Sequence, residues 1–364
     1  MINISKPFIG KEEKNAVLKV LDSGMIAQGQ RVQEFERKFA NYCGSEHSVA
    51  LNSGTAALHA GLHVMGISKS DEVITTPFTF IATANVILMQ QAQPIFADID
   101  EQTFNINTNS IKEKITDKTK AIITVDLYGQ LCDYNKINRI AKKNNILVLE
   151  DSCQSIGAEF KNKKSGSFGD IGTFSFYATK NITCGEGGAL VTRNKQYSER
   201  AKLFRQHGMS GTGTYDYDDI GYNYRMTDLN ASILIEQLKK IRKITEKRIK
   251  NAAYLSEKLS KINGIEIPFI EKGNVHAFHQ YTIKVKRFRI TRDKLFERLK
   301  FKGISCGIYY PKPLHLCENF KKLGYKEGDF PVAEKVSREV LSLPVHPSLT
   351  QQELDLIVKA IKEA

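Results

Sequence analysis

Residues 146–151 read ILVLED, an unbroken apolar run that ends in an acidic pair. A run that is apolar at every position is typical of a strand covered on both faces, as in a parallel sheet flanked by helices. Segments with helical spacing separate this run from others of the same kind. Those other runs lie at 94–98, 121–125, 173–176 and 188–192. The sequence therefore predicts an α/β fold with a mostly parallel central sheet and helices on either side.

The C-terminal third has a different pattern, which predicts a smaller α+β domain. A long amphipathic helix is expected over 228–259, and the pattern changes after Gly264. Beyond that glycine we expect a half-exposed strand at 281–285, a helix at 292–300 and a strand at 303–309. We place the boundary inside the long helix, which gives a large domain of residues 1–245 and a small C-terminal domain of residues 246–364.

Composition limits the classes of function. The 364 residues are 41% hydrophobic and 26% charged, which is ordinary for a globular protein and argues against disorder. We expect a cytoplasmic protein, because the N-terminus has no secretory pattern and no apolar run is long enough to span a membrane. The net charge of +13 fits either a nucleic acid or an anionic small molecule. Because the basic residues are scattered among acids, we favour the small molecule and predict no nucleic-acid or membrane partner.

No metal site is predicted. The six cysteines form no C-x-x-C pair, so we expect reduced thiols rather than a zinc ribbon or a redox motif. The pairs His59/His63 and His276/His279 have helical or near-helical spacing but no third ligand close by, and packing histidines are the better interpretation.

Three segments place polar residues where buried strands are expected to end. At 52–58, NSGTAAL begins a helix, and its N-terminus either binds an anion or is an ordinary capped end. Asp151 follows a strand at the ligand-binding edge of the sheet, or else caps a helix. Lys180 precedes the glycine-rich turn at 185–188 and is either a nucleophilic amine with a lowered pKa or a solvated loop lysine.

Together these segments supply what pyridoxal 5′-phosphate (PLP) needs. A helix N-terminus binds its phosphate, a carboxylate pairs with its pyridine nitrogen, and a lysine forms a Schiff base with its aldehyde.

The sequence resembles the sugar-nucleotide aminotransferases of the DegT/DnrJ/StrS type, which have the PLP-dependent transferase fold type I. The resemblance runs along nearly the whole chain. It rests on the segments NSGTAALH, TPFTFIATAN, EDSCQSIGA, FGDIGTFSFYATKNITCGEGG, GYNYRMTDLNASI and LSLPVHPSLT.

The resemblance implies a role for each matching residue. Lys180 is the Schiff-base lysine and proton carrier, and Asp151 is the partner of the pyridine nitrogen. The other implied cofactor contacts are Gln154 at the ring hydroxyl, Phe80 on the ring face, and Gly54, Thr55 and Ser175 at the phosphate. Asn223 is expected to reach the cofactor of a neighbouring subunit, which implies a homodimer with shared active sites. Tyr309 and His315 lie in the segment that corresponds to substrate contacts.

The implied reaction moves an amino group from glutamate to a keto group, at C3 or C4, of a nucleotide-linked sugar, and 2-oxoglutarate leaves. Two alternatives stay open: another PLP-dependent reaction such as sugar dehydration, and a PLP-binding regulator that acts on nucleic acid. Related dehydratases carry histidine in place of the Schiff-base lysine, so Lys180 favours amino transfer.

Overall fold

The computed structural model describes residues 1–210 and 215–364. In these residues the central sheet has seven strands in the order β1-β9-β8-β5-β4-β2-β3. Neighbours from β8 to β3 are parallel, whereas β9 runs antiparallel to both β8 and β1. The strands of the central sheet are β1 (His47–Leu51), β2 (Glu72–Thr75), β3 (Gln93–Phe96), β4 (Thr119–Val125), β5 (Leu147–Asp151), β8 (Ile171–Ser175) and β9 (Gly188–Thr192).

Two small sheets complete the strand inventory of the described residues. One has the order β11-β6-β7 and the other β10-β12-β13. Their strands are β6 (Glu159–Phe160), β7 (Lys163–Lys164), β10 (Ile265–Glu266), β11 (Asn274–Val275), β12 (Tyr281–Val285) and β13 (Val340–Leu343).

The helices lie before, between and after these strands. They are α1 (Lys11–Ser23), α2 (Gln30–Cys43), α3 (Gly54–Val64), α4 (Ala82–Met89), α5 (Thr108–Lys114), α6 (Tyr134–Asn144), α7 (Lys195–Arg205), α8 (Asp228–Leu259), α9 (Arg292–Phe301), α10 (Glu318–Lys321), α11 (Pro331–Glu339) and α12 (Gln351–Lys362). None of the helices in the described residues is both long and apolar enough to cross a membrane.

The central sheet is buried on both faces, as the unbroken apolar runs predict. Along β4, Ile123 belongs to the core under α3, whereas Ile122 belongs to the core on the opposite face. Neighbouring residues of each strand therefore contact different helical layers, which removes the polar alternation of a half-exposed strand.

Helix α8 joins two hydrophobic cores. Its N-terminal half, up to Ile244, contributes to the core beside α2, and its C-terminal half, from Ala252, contributes to the core of the C-terminal unit. The boundary predicted near 245 falls in this interval and stays a prediction. The N-terminus lies apart from the large unit, because Ile2 belongs to the C-terminal core and pairs with Ile304.

Two sequence-based expectations for the C-terminal unit are wrong. Strand β12 is buried at every position rather than half-exposed, because it is the middle strand of its sheet. The strand expected at 303–309 is replaced by two isolated bridges, from Ile304 to Ile2 and from Gly307 to Ser342. The segment meets a different neighbour at each bridge, so no continuous ladder forms.

Candidate active site

The candidate active site is a cleft of about 440 Å³ at the edge where the parallel strands end. Several loops that follow these strands contribute side chains to the cleft. A segment of the C-terminal unit that carries Tyr309 and Tyr310 lines one side of it. The residues expected from the sequence that line this cleft are Gly54, Thr55, Phe80, Asp151, Gln154, Ser175, Lys180 and Tyr309.

One end of the cleft is the N-terminus of α3. The Ser53 hydroxyl caps this helix by accepting a hydrogen bond from the Ala56 N–H at 3.1 Å. The N–H groups of Gly54 and Thr55 have no carbonyl to bind within the helix, and both residues line the cleft. Backbone donors at the positive end of a helix, next to the hydroxyls of Thr55 and Ser175, form an anion site.

Asp151 is the last residue of β5 and is 5% exposed. Its Oδ2 accepts a hydrogen bond from the Thr83 hydroxyl at 2.7 Å, and its Oδ1 accepts one from the Cys153 N–H at 3.2 Å. The alternative that Asp151 caps a helix is wrong, since residues 153–157 form turns rather than a helix.

The neighbouring acid, Glu150, points to the other side of the strand. Its carboxylate accepts hydrogen bonds from the N–H groups of Gly166, at 2.9 Å, and Gly169. Burial raises the pKa of Glu150. The acidic pair therefore has two separate uses, because successive side chains of a strand face opposite ways: Asp151 lines the cleft and Glu150 anchors a loop behind the sheet.

Lys180 lies on the turn after β8, where its N–H donates to the Tyr177 carbonyl at 2.9 Å. Its side chain is half-buried and lines the cleft, so the alternative of a solvated loop lysine is wrong. Burial lowers the pKa of Lys180, and the nearby Cys153 and Asp151 only partly oppose this effect. The ammonium group therefore loses its proton more easily than that of an exposed lysine and yields the neutral, nucleophilic amine, which is the first of the two alternatives left open by the sequence.

Gln154 and Phe80 lie on different loops beside these groups. The Gln154 side chain is fixed at both ends, since Oε1 accepts from the Tyr128 N–H at 3.0 Å and Nε2 donates to the Tyr310 hydroxyl at 3.1 Å. Phe80 is 56% exposed although it follows the fully buried Phe78 by two residues. A large apolar side chain left open in a cleft provides a flat surface for a planar ligand.

Two expected site residues lie outside the cleft. Asn223 is exposed, and its carbonyl accepts a hydrogen bond from Asn52 Nδ2 at 3.2 Å, just before the start of α3. His315 is fully buried, and its Nε2 lies 2.9 Å from Glu334 Oε1. The structure therefore places His315 in the core beside Phe330, away from any substrate in the cleft.

Sequence reasoning did not identify several residues that line the cleft. His279 was expected to be a packing residue, and it is 7% exposed, yet its ring lines the cleft. Burial and the nearby Lys180 hold the pKa of His279 well below its usual value, so the ring is neutral. Thr83 and Tyr310 were also missed. The one sequence feature that could have drawn attention to Thr83 is Thr79, which lies four residues before it.

The residues present fit PLP. A Cβ added to Gly54 would lie 2.8 Å from Ser175 Cβ and 3.0 Å from Cys153 Sγ, so this position has room for a backbone donor but not for a side chain. The anion site, the Asp151 carboxylate and the Lys180 amine line one cleft, and they match the phosphate, the ring nitrogen and the aldehyde of the cofactor.

Comparisons with known proteins agree with this fit. The spore coat polysaccharide biosynthesis protein SpsC of Bacillus subtilis is 37% identical over 373 residues, which cover 99% of this chain and 96% of that protein. The GDP-perosamine synthase of Caulobacter vibrioides is 35% identical over 365 residues, which cover 100% of this chain and 98% of that protein. A Streptococcus pneumoniae protein solved in its PLP form superimposes with a TM-score of 0.95, at 29% identity, over 100% of this chain and 98% of that one.

The match to a whole family is equally extensive. Residues 7–362 match the profile of the DegT/DnrJ/EryC1/StrS aminotransferase family. The chain therefore belongs to the DegT/DnrJ/EryC1/StrS family and is a PLP-dependent aminotransferase.

Proposed function

We propose that this enzyme moves an amino group from glutamate to a keto group, at C3 or C4, of a nucleotide-linked sugar. The observation that carries the proposal is the presence of Lys180, Asp151 and the N-terminus of α3 around one cleft. The name of the related GDP-perosamine synthase supports a nucleotide-linked substrate. The name of SpsC supports a place in polysaccharide biosynthesis.

The cofactor is held by residues from four loops. Gly54, Thr55 and Ser175 bind the phosphate, and Asp151 pairs with the ring nitrogen and keeps it protonated. Gln154 binds the ring hydroxyl through a side chain that Tyr128 and Tyr310 already orient. Phe80 covers one face of the ring, which keeps water from that face.

Lys180 is the base of the reaction. PLP supplies an aldehyde that binds amines covalently and a ring that accepts electrons. With PLP bound, Lys180 would hold the cofactor through its aldehyde until a donor amine replaced it, and Nζ would then serve as the base that takes the proton from the donor α-carbon and returns it to the cofactor. Its lowered pKa leaves a larger neutral fraction for this task. With a keto sugar, Nζ moves the proton in the opposite direction, so the two half-reactions alternate.

The site is completed by a second copy of the chain. Among the described residues that line the cleft, Lys180 is the one lysine or arginine, and His279 is neutral. Because Lys180 takes part in the reaction itself, other positive groups must bind the diphosphate of the substrate. Asn223 is exposed and lies outside its own cleft, which fits its proposed contact with the cofactor phosphate of the neighbouring subunit. Tyr309 lines the cleft and contacts the sugar.

A half-reaction tests the proposal. The PLP-loaded enzyme is mixed with glutamate alone, and the expected result is a shift to the pyridoxamine phosphate spectrum with one 2-oxoglutarate released per site. Adding a keto-sugar nucleotide then restores the PLP spectrum and yields the amino sugar. An enzyme that leaves glutamate unchanged but eliminates water from a sugar nucleotide would instead support dehydration.

A further inference from the structure

Thr83 is the second residue of α4 and is 1% exposed, yet it lines the cleft. Its hydroxyl donates to Asp151 Oδ2 at 2.7 Å across 68 residues of sequence. We propose that Thr83 is a positioning residue that fixes the plane of the Asp151 carboxylate toward the nitrogen of the cofactor ring. This inference rests on the proposed role of Asp151, and it assigns Thr83 a role that acts through that carboxylate.

The direction of the hydrogen bond is fixed by chemistry. An ionised carboxylate can only accept, so Thr83 must donate its single hydroxyl proton to Asp151. A donor 2.7 Å from a charged oxygen is a short, charge-assisted hydrogen bond, stronger than a neutral one. The second contact, from the Cys153 N–H to Oδ1, is longer at 3.2 Å. Thr83 therefore provides the tighter of these two constraints on the carboxylate plane.

A second hydroxyl orients the first. The Oγ1 atoms of Thr79 and Thr83 lie 3.1 Å apart, and Thr79 is also 1% exposed. Because the Thr83 proton is directed to Asp151, Thr79 donates and Thr83 accepts. The result is a chain of two hydrogen-bonded hydroxyls that ends at the Asp151 carboxylate. Each hydrogen bond in the chain limits the rotamers of the side chain that accepts it.

The same turn also carries Phe80. The Thr83 N–H donates to the Phe80 carbonyl at 3.2 Å, so the backbone between the two residues is closed into a turn. Phe80 would cover the cofactor ring, and Asp151 would bind the ring nitrogen. Thr83 thus links the element that covers the ring to the carboxylate that binds its edge.

The sequence of α4 shows that packing alone does not call for a hydroxyl. The helix reads ATANVILM, and valine has nearly the shape of threonine and suits a buried position. A buried hydroxyl is costly unless it is hydrogen-bonded, and here its partner is the carboxylate. The chemistry of Asp151, rather than the core, therefore explains why residue 83 is threonine.

Thr83→Val tests the inference, because it removes the hydroxyl and keeps the shape. The readouts are the dissociation constant of PLP, the absorbance of the bound cofactor between pH 6 and pH 9, and kcat and KM for the glutamate half-reaction. We expect about tenfold weaker PLP binding, a changed pH dependence of the absorbance, and a kcat lowered by about ten- to a hundredfold, the effect of losing one hydrogen bond to a charged group. KM for glutamate should stay within about threefold, because Thr83 does not touch the donor.

Further variants separate positioning from folding. Thr83→Ser keeps the hydroxyl and should restore PLP affinity and absorbance to near those of the wild type, even if it lowers stability. Thr79→Val should give a weaker form of the Thr83→Val defect. The matched control is Thr192→Val on β9, where a 3% exposed threonine donates to the Asp170 carbonyl at 2.8 Å away from the cleft. That variant should lose stability but keep the wild-type spectrum.

The inference is overturned if Thr83→Val keeps the wild-type PLP affinity and spectrum, or if Thr83→Ser is as defective as Thr83→Val. If Thr83→Val does not fold, wild-type absorbance and affinity in Thr79→Val would also overturn it. The PLP affinity and the spectrum need only PLP, so these two readouts do not depend on the proposed substrates. If the wild-type enzyme fails to convert glutamate, the proposed function is rejected. The effect of Thr83→Val on PLP affinity and on the spectrum can still be interpreted in that case.

Discussion

Gly54 at the start of α3 lies directly against Ser175 at the end of β8. A Cβ at position 54 would approach the Ser175 Cβ to 2.8 Å, closer than side-chain carbons tolerate. The close approach brings a helix N-terminus and a serine hydroxyl to the same point, although 120 residues of sequence separate them. The anion site therefore depends on a glycine that supplies no functional group of its own.

Gly54→Ala should weaken PLP binding. The added methyl group must push apart α3 and Ser175, and this moves the backbone donors and the hydroxyl away from the phosphate. We expect about a tenfold higher dissociation constant for PLP, the effect of losing about one hydrogen bond to a charged group. Equilibrium dialysis against PLP measures it. Gly10→Ala is the control, because the nearest contact of its methyl group is the end of the flexible Glu12 side chain. Equal PLP affinity in the two variants would contradict the proposed phosphate site.

Lys180→Ala should lose both the absorbance band of covalently bound PLP and multiple turnover, because no other amine in the described cleft can replace Nζ. Lys202→Ala, on the exposed side of α7, is the control and should match the wild type. Full multiple-turnover activity in Lys180→Ala would show that another residue is the base.

The pH dependence of PLP capture reports on the same lysine. Only the neutral amine attacks the aldehyde, and burial lowers the pKa of Lys180 below its ordinary value of 10.5. The rate of capture by the apo-enzyme should therefore rise with pH and level off below pH 10.5. Stopped-flow absorbance measures the rate. A midpoint at or above that of free lysine would show that the amine is solvated in the apo-enzyme.

Mixed dimers test whether Asn223 serves the neighbouring subunit. Asn223→Ala and Lys180→Ala should each have low activity alone. In a mixed dimer, one site combines both defects and the other has an intact Lys180 and an intact Asn223. Random exchange should then restore about a quarter of the wild-type activity. Activity that does not rise on mixing, although exchange is shown by native mass spectrometry, would place Asn223 outside the shared site.

Glu101 should stabilise the protein in a pH-dependent way. It lies 2.6 Å from Lys286 and 2.9 Å from Lys335, and these hydrogen bonds lower its pKa from 4.5 to about 2. A carboxyl group with a lowered pKa in the folded state stabilises that state above pH 4.5, and the effect is lost as pH falls toward 2. Because Glu101 is about one-third exposed, solvent screens the pairs, and Glu101→Gln should lower the unfolding free energy at pH 7 by about 1 kcal/mol or less.

Urea unfolding at a series of pH values checks this expectation. The difference between wild type and Glu101→Gln should narrow as pH falls from 4.5 toward 2. Glu257→Gln is the control, because its partner Lys258 is adjacent in sequence and the Glu257 side chain is 60% exposed. A difference that grows at low pH would mean that Glu101 acts through packing rather than charge.

Features with a local cause followed from the sequence. Helix α8 has the bounds expected from its apolar spacing, and Thr227 caps it by accepting from the Asn230 N–H. The capping box of Thr350 and Glu353, a pattern that spans four residues, begins α12. Helix α1 ends at Gly24, which has a φ of 70° that other residues rarely adopt. In each case the signal lies within a few residues, so tertiary contacts are not needed to read it.

Features that depend on distant partners were missed. Lys284 was expected on the exposed side of a strand, yet it is buried because Glu266 lies 2.8 Å away on the neighbouring strand. His315 was placed at the substrate by its segment alone, whereas Glu334 and Phe330 hold it in the core. The sequence around Lys284 does not indicate its contact with Glu266. The sequence around His315 likewise does not indicate its contacts with Glu334 and Phe330.

The sequence by itself determined the fold class and the positions of many strands and some helices, and it predicted the lysine, carboxylate and anion site of a PLP enzyme, because periodicity, caps and strand-end residues are local. Only the tertiary structure decided which side chains orient that set. Thr83 meets Asp151 across 68 residues and Tyr310 meets Gln154 across 156. Such contacts arise when separate strands and loops pack at one edge of the sheet, and no spacing along the chain encodes them.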